Sequence, residues 1–355
     1  MALRSRGLRS QTIQEQYSSE KVKSRTSERS PRKGRWRCCL WTSVVLLVLY
    51  MIPPLVIRYS SWTQQALIYV HHVKIPYYGN VSNPSEYGLT KARNFELFHQ
   101  DGCSVGTWQI LPKSYHTPGD DINTDFENIL SDGSPIVLYL HGNTGTRATP
   151  HRVALYKYLA EQRGYHVITF DYRGFAESQC YPSERGMMED AYLVWRWVRT
   201  HAPRSKLYVW GHSLGSAAAT YLTKELCLSG TPPIGLILDA PFTDIVETAS
   251  YHPFGIPYWP VMTLFHYFVL EAFQERFESS SRLQDISCPM LILHGHKDII
   301  IPFHLGHKVY EIAIQTKKLF PSMGDVDFVD CGNTTHKNNY ASPNIDQALD
   351  KFIKK

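Results

Sequence analysis

Apolar and polar positions divide the chain into three regimes. Residues 1–37 are polar and show no apolar periodicity, and Cys38 to Ile57 is then an unbroken run of twenty residues without a charge, bracketed by Arg37 and Arg58. From about residue 94 onward, short apolar runs alternate with stretches of helical spacing. The runs 135–140, 165–170, 207–210, 234–239 and 289–293 are nearly continuous, which suits strands covered on both faces. Phe95–Phe98 and Gly106–Leu111 predict an antiparallel pair joined at Asp101-Gly102, and Asp325–Asp330 alternates as a final strand. Helical spacing recurs at 187–199, 217–228 and 344–353. Strands alternating with helices predict an α/β fold with a mostly parallel central sheet and helices on both faces. The polar stretch 112–134, with Gly119-Asp120-Asp121, reads as a surface loop, and the aromatic-dense insert 241–281 as a helical cap.

The uncharged run decides where this fold resides. Twenty helical residues span about 30 Å, the thickness of a bilayer core. Pro53 and Pro54 fall near its far end, where lost backbone hydrogen bonds cost least. A cleaved signal peptide would need a short basic start and a small-residue cleavage site. The long tail therefore favours a signal anchor, with a cleaved signal and a surface-lying segment as the alternatives. The domain plan is a disordered basic tail at 1–37, a transmembrane anchor at 38–57, a connector at 58–93 and a catalytic domain at 94–355. Net charge refines this plan. The formal +5 of the 355 residues conceals a tail with eleven Lys and Arg against three Glu, which leaves 26 basic and 29 acidic residues beyond it. Positive charge before the span predicts a cytosolic tail and a lumenal or extracellular domain, a type II single-pass protein, expected in the endoplasmic reticulum. The adjoining span argues against nucleic acid as the partner of the basic tail. In a lumenal domain Asn80-Val81-Ser82 is the better glycan acceptor, because a glycan at Asn333-Thr334-Thr335 would crowd His336.

The chemistry centres on Gly211-His212-Ser213-Leu214-Gly215, placed after the strand Leu207–Trp210 and before Ser216-Ala217-Ala218-Ala219. A strand, a sharp turn and a helix start around G-x-S-x-G lift the serine Oγ above the sheet as a nucleophile. The string alone is weak; its placement is what points to Ser213. The acid and base should follow in that order. Asp298 lies just beyond the run 289–293, and His336 lies in the loop after 325–330. Asp325, Asp327 and Asp330 are lesser rivals for the acid. Oxyanion donors are expected from the backbone N–H of Leu214 and from the glycine-rich bend after 135–140, at Asn143 or else Thr144. The scattered Cys103, Cys180, Cys227, Cys288 and Cys331 form no metal motif, and no phosphate-binding glycine motif is present, so neither a metal nor a cofactor is expected. Cys38 and Cys39 adjoin the span and are candidates for palmitoylation.

These residues resemble the α/β-hydrolases. Phe170-Asp171-Tyr172-Arg173-Gly174-Phe175-Ala176-Glu177-Ser178 is similar to the loop after that family's fourth strand, with Ala176 where glycine is usual. Pro182-Ser183-Glu184-Arg185-Gly186, Thr231-Pro232-Pro233, His252-Pro253-Phe254 and Ile286-Ser287-Cys288-Pro289 resemble one branch, the α/β-hydrolase domain-containing protein 12 family, with details that favour its 12B paralogue. The likeness covers about residues 60–355. It implies an α/β-hydrolase fold and a membrane-bound serine hydrolase that cleaves single-chain lipids, monoacylglycerols or lysophospholipids such as lysophosphatidylserine. The same triad serves a protein depalmitoylase or an acyltransferase, and a non-catalytic scaffold is the remaining alternative. Oligomeric state has no signature in the sequence.

Overall fold

A computed structural model describes residues 32–71, 79–115, 125–251 and 253–353. The tail before residue 32 and the Gly119-Asp120-Asp121 stretch lie outside the described residues. The chain divides into two units, residues 1–55 and 56–355. Helix α1 (Arg32–Tyr59) contains the uncharged run and continues through Pro53 and Pro54 to Tyr59. Its apolar side chains, Leu46, Leu47 and Leu49 among them, are exposed and not folded into a core. A helix satisfies its own backbone hydrogen bonds, so apolar exposure of this kind is what hydrocarbon solvates best. The helix is long and apolar enough to cross a membrane and suggests a single-pass membrane protein.

The second unit takes in the last turn of α1 and continues into α2 (Ser61–Tyr69), so the stretch read as a connector carries a helix of its own. Ser60 caps it by accepting from the Thr63 N–H at 3.1 Å. Strands β1 (Ala92–Phe98) and β2 (Ser104–Ile110) pair antiparallel around the expected Asp101-Gly102 turn, where Gly102 takes φ 86°. Then follow β3 (Ile136–Leu140), α3 (Pro150–Lys157), β4 (His166–Phe170), α4 (Glu184–His201), β5 (Leu207–His212), α5 (Leu214–Leu228) and β6 (Gly235–Asp239). The insert 241–281 comes next, with α6 (Ile245–Tyr251), a 3₁₀ run (Pro253–Val261) and α7 (Met262–Phe268). The chain closes with β7 (Met290–His294), α8 (Phe303–Leu319), β8 (Val326–Asp330) and α9 (Ile345–Ile353).

The eight strands form one sheet in the order β1-β2-β4-β3-β5-β6-β7-β8. β2 meets β4 antiparallel, and every later pairing is parallel. Period-two alternation sorts each strand between two cores. Ile136, Leu138 and Leu140 join the core beneath α4, α5 and α8, whereas Val137 and Tyr139 join the one beneath α3 and α9. Parallel strands end at the same edge, so the loops after β3, β5, β6, β7 and β8 converge there, where open α/β sheets place ligand sites.

Cys103, just before β2, is joined in a disulfide to Cys180 in the loop before α4, across 77 residues. Closing a loop of this length restricts the unfolded chain by about 4 kcal/mol in the chain-entropy treatment. Cys103→Ser with Cys180→Ser is therefore expected to lower unfolding stability by several kcal/mol, read as a fall in the denaturant midpoint relative to the native chain.

Candidate active site

Ser213 stands between the last residue of β5 and the first of α5 with φ 53° and ψ −122°, a conformation that costs a non-glycine residue free energy and is held by its surroundings. The flanking glycines make the turn possible. A Cβ at Gly211 would stand 2.4 Å from the Gly215 carbonyl, and one at Gly215 would stand 2.2 Å from the Leu140 carbonyl at the end of β3. The Ser213 N–H is secured by the Asp239 carbonyl at 2.9 Å. Close packing of α5 on β3 also brings the Gly142 bend to the elbow, where an added Cβ would lie 3.0 Å from the Cβ of Ser213.

Asp298 and His336, 38 residues apart, meet across two interlaced loops. The His296 N–H donates to the Gly332 carbonyl at 2.7 Å and the Lys297 N–H to the Thr334 carbonyl at 3.0 Å. Gly295 permits this approach, since a Cβ there would fall 2.1 Å from Thr334 Oγ1. His336 Nδ1–H donates to Asp298 Oδ2 at 2.7 Å. Asp298 Oδ1 accepts from the N–H groups of Ile300 and Ile301 at 2.9 and 2.8 Å. Burial disfavours the Asp298 carboxylate, but hydrogen bonds from His294 and His336 outweigh it and hold the carboxyl well below its ordinary range. An ionised Asp298 fixes the proton on Nδ1 and leaves His336 Nε2 as the basic nitrogen. The rival carboxylates are engaged elsewhere: Asp325 with Lys317, Asp327 with Lys351 and Asp330 with His296. Among the described residues Ser213 Oγ makes no hydrogen bond to His336, a contact that is often loose before substrate binds. The two are nevertheless neighbours through His212, whose ring lies 4.9 Å from that of His336.

Several residues that the sequence reading passed over hold this arrangement. His212 Nε2–H donates to the His336 carbonyl at 2.7 Å, which fastens the base loop to the residue before the nucleophile. Burial, then the nearby His336 and His151 rings, push its pKa well below the ordinary value, so His212 serves as a neutral donor. Arg152 is buried, and its guanidinium donates to the carbonyls of Gly142, Asn143, Thr144 and Thr146 at 2.9, 3.2, 2.8 and 2.7 Å. With those carbonyls turned toward Arg152, the N–H of Asn143 has no acceptor among the described residues, and the same holds for the N–H of Leu214. Thr144 is a poorer oxyanion donor, because its N–H is taken by Asn143 Oδ1 at 2.6 Å. Neither His212 nor Arg152 has a local signature: both act through partners distant in sequence or on backbone carbonyls.

Behind the base loop, Asn339 Nδ2 donates to Asp239 Oδ1 at 2.8 Å, and Asn339 Oδ1 accepts from Thr334 Oγ1 at 2.5 Å. Burial lifts the Asp239 carboxyl to about 6, against the smaller pull of the Asn339 hydrogen bond. An acid whose folded pKa is raised costs nothing below its unfolded value, and the cost grows as pH rises from 3.8 through about 6. That displacement is worth about 3 kcal/mol. Asp239→Asn, which keeps the acceptor for Asn339, is expected to stabilise the fold at pH 8 and to leave it unchanged at pH 4, measured by denaturant unfolding at both pH values.

Ser213 is only 7% exposed. A cavity of about 540 Å³ within the cap is lined by Glu247, Trp259, Glu271 and Arg276 among others, with Lys308 of α8, and includes none of Ser213, Asp298 and His336. Phe265, Phe273 and Phe277 pack into the core, whereas Trp259 and Tyr267 are exposed.

A nucleophile elbow, an Asp–His pair and two unpaired N–H groups at one edge of a parallel sheet form the constellation used for acyl transfer. The family model described as alpha/beta hydrolase fold matches residues 135–259. Among solved structures, an alpha-beta hydrolase from Vibrio vulnificus superposes with a TM-score of 0.61 at 16% identity, covering 82% of this chain and 92% of its own. The Pyrococcus furiosus esterase Pf2001 superposes with a TM-score of 0.54 at 20% identity, covering 77% and 93%. Both show the α/β-hydrolase fold with its mostly parallel sheet. Lysophosphatidylserine lipase ABHD12 of Danio rerio is 38% identical over 325 residues, covering 90% of this chain and 83% of its own, and the Xenopus tropicalis protein of that name is 39% identical over 330 residues, covering 91% and 84%. Human protein ABHD12B is 34% identical over 252 residues, covering 70% and 68%, a more distant likeness than the expected leaning toward the 12B paralogue. With more than a third of its residues shared along nine-tenths of its length, the chain belongs to the ABHD12 family of α/β-hydrolases.

Proposed function

We propose that this protein is a membrane-anchored serine hydrolase that cleaves the acyl ester of single-chain lipids, lysophosphatidylserine or a related lysophospholipid first and monoacylglycerol second. The observation that carries the chemistry is the 2.7 Å bond from His336 Nδ1 to an ionised Asp298 beside a strained Ser213. The substrate class rests on the relatives named as lysophosphatidylserine lipases. In this reading Ser213 Oγ attacks the ester carbonyl while His336 Nε2 takes its proton, and the oxyanion is received by the N–H groups of Leu214 and Asn143. His336 returns the proton to the departing glycerol oxygen, leaving an acyl-enzyme at Ser213. Water deprotonated by His336 then releases the fatty acid and restores the serine.

In this reading the catalytic domain lies on the lumenal side of the endoplasmic reticulum membrane. The basic tail supports that orientation, as does the Cys103–Cys180 disulfide, which suits an oxidising compartment. The exposed Asn80 is the proposed glycan acceptor. A membrane fraction containing the full chain should be labelled by a fluorophosphonate at Ser213 and should release fatty acid and glycerophosphoserine from lysophosphatidylserine. Release from an S-acylated peptide but not from lysophosphatidylserine would assign the triad to depalmitoylation. Protease added to sealed microsomes should trim only the tail, and endoglycosidase should remove a glycan from Asn80; digestion of the whole domain would reverse the orientation.

A further inference from the structure

The residues that leave the membrane span are bonded to the cap. Arg58, in the last turn of α1, donates through Nη1 to the Phe268 carbonyl and lies over the Phe268 ring at 4.6 Å. Gln64 in α2 is buried and satisfied on both sides of its amide. Its Nε2 donates to the carbonyls of Ile57 and Ala272 at 3.0 and 3.1 Å, and its Oε1 accepts from the Gln274 N–H at 3.1 Å. Tyr69 OH donates to Glu275. A buried amide with all these bonds made holds segments some 200 residues apart in one register.

Arg58 also marks the end of the uncharged run. A bilayer that takes up Cys38 to Ile57 has its surface within about one helical turn, or 5.4 Å, of Arg58. Cap residues bonded to Arg58 and Gln64 are consequently held at that surface. Beside the exposed Glu271 and Gln274, the cap presents an apolar face. In α7, Phe265 and Phe268 pack against the core, while Leu264 and Tyr267, also three apart, are 64% and 71% exposed. Val261 continues that outward face one turn earlier, and Trp259 is 58% exposed. Leu67 and Trp62 of α2 are exposed as well. Trp and Tyr among aliphatic residues, at the level where a span emerges, form the composition of an interfacial belt.

We propose that the outward face of α7, with Val261, Leu264, Tyr267 and Trp259, docks into the headgroup–acyl boundary of the leaflet from which α1 emerges, and that the Arg58–Gln64 joint holds it there. The proposal rests on α1 spanning the membrane and is independent of the reaction catalysed. It makes the cap a lipid-binding surface.

The test uses the full chain reconstituted in phosphatidylcholine vesicles containing a phosphatidylcholine with a diazirine in its upper acyl chain. After irradiation, adducts are mapped by mass spectrometry. Adducts are expected on α1 and on 257–268, several-fold above those at Tyr181 and Leu319, which are more exposed but lie far from the joint in the chain. Arg58→Ala with Gln64→Ala is expected to lower the cap adducts several-fold while those on α1 persist. Leu264→Ser with Tyr267→Ser, both surface changes, should reduce cap adducts without altering fluorophosphonate labelling of Ser213, the check on folding. Labelling of α1 with the cap no higher than Tyr181 and Leu319 would overturn the docking. Absence of adducts on α1 would overturn the span and the docking together. Undiminished cap labelling in the Arg58 and Gln64 variant would overturn the role of the joint.

Discussion

Ser213→Ala is expected to lower kcat on lysophosphatidylserine by about 10⁴-fold or more, with His336→Ala similar and the double variant scarcely worse. The reason lies in how the three groups depend on one another. His336 is basic at Nε2 only because its Nδ1 proton is committed to Asp298, and that proton transfer matters only if Ser213 Oγ is there to give one up. Removing either partner removes the same step, so the losses do not add. Asp298→Asn is expected to cost nearly as much, about 10⁴-fold, because a carboxamide in that position favours the wrong imidazole tautomer. Steady-state kinetics on vesicle-borne substrate, with fluorophosphonate labelling as a count of competent sites, checks all three. Full activity in Ser213→Ala would remove the acyl-enzyme mechanism, and strictly additive losses would mean that Ser213 and His336 act in separate steps.

Arg152→Met is expected to lower kcat by about 10²–10³-fold while KM shifts by only a few-fold. Arg152 touches no reacting atom; it positions the Gly142–Thr146 bend by donating to four of its carbonyls. Methionine fills the volume of the side-chain stem but donates nothing. Buried carbonyls left without partners cost about 1–3 kcal/mol each, so the bend should turn them toward water. That rotation carries the Asn143 N–H away from the place where charge develops. The loss should thus fall on the transition state and spare ground-state binding, which the split between kcat and KM reads directly. A raised KM with kcat unchanged would instead assign the bend to substrate binding.

Much of the fold was legible because it is written in local periods. The runs 135–140, 165–170, 207–210, 234–239 and 289–293 became β3, β4, β5, β6 and β7 with their ends displaced by a few residues at most, since a strand buried on both faces leaves no room for polar alternation. The elbow was legible for a related reason: Gly211 and Gly215 answer to steric contacts within a few residues of Ser213 and with the neighbouring strand. The helix in the expected connector was not, because α2 is held by Gln64 and Tyr69 bonding to residues near 275 and by little that its own sequence announces. Cap aromatics were named as a group, but burial divides them. Phe265 stacks on Tyr258 at 4.4 Å within the core, and Leu264 beside it faces out.

By itself the sequence determined the sheet strands and most of the helices, the membrane-length helix and the chain order of the candidate nucleophile, acid and base, because each depends on residues close together along the chain or on the order in which parallel strands reach one edge. Only the tertiary structure decided that Asp298, and not Asp325, Asp327 or Asp330, faces His336, that Arg152 holds the Gly142–Thr146 bend, that Cys103 pairs with Cys180, and that Arg58 and Gln64 join the end of α1 to the cap. These are contacts across 6 to about 210 residues, and their partners are often backbone carbonyls, which every residue carries and no sequence pattern marks.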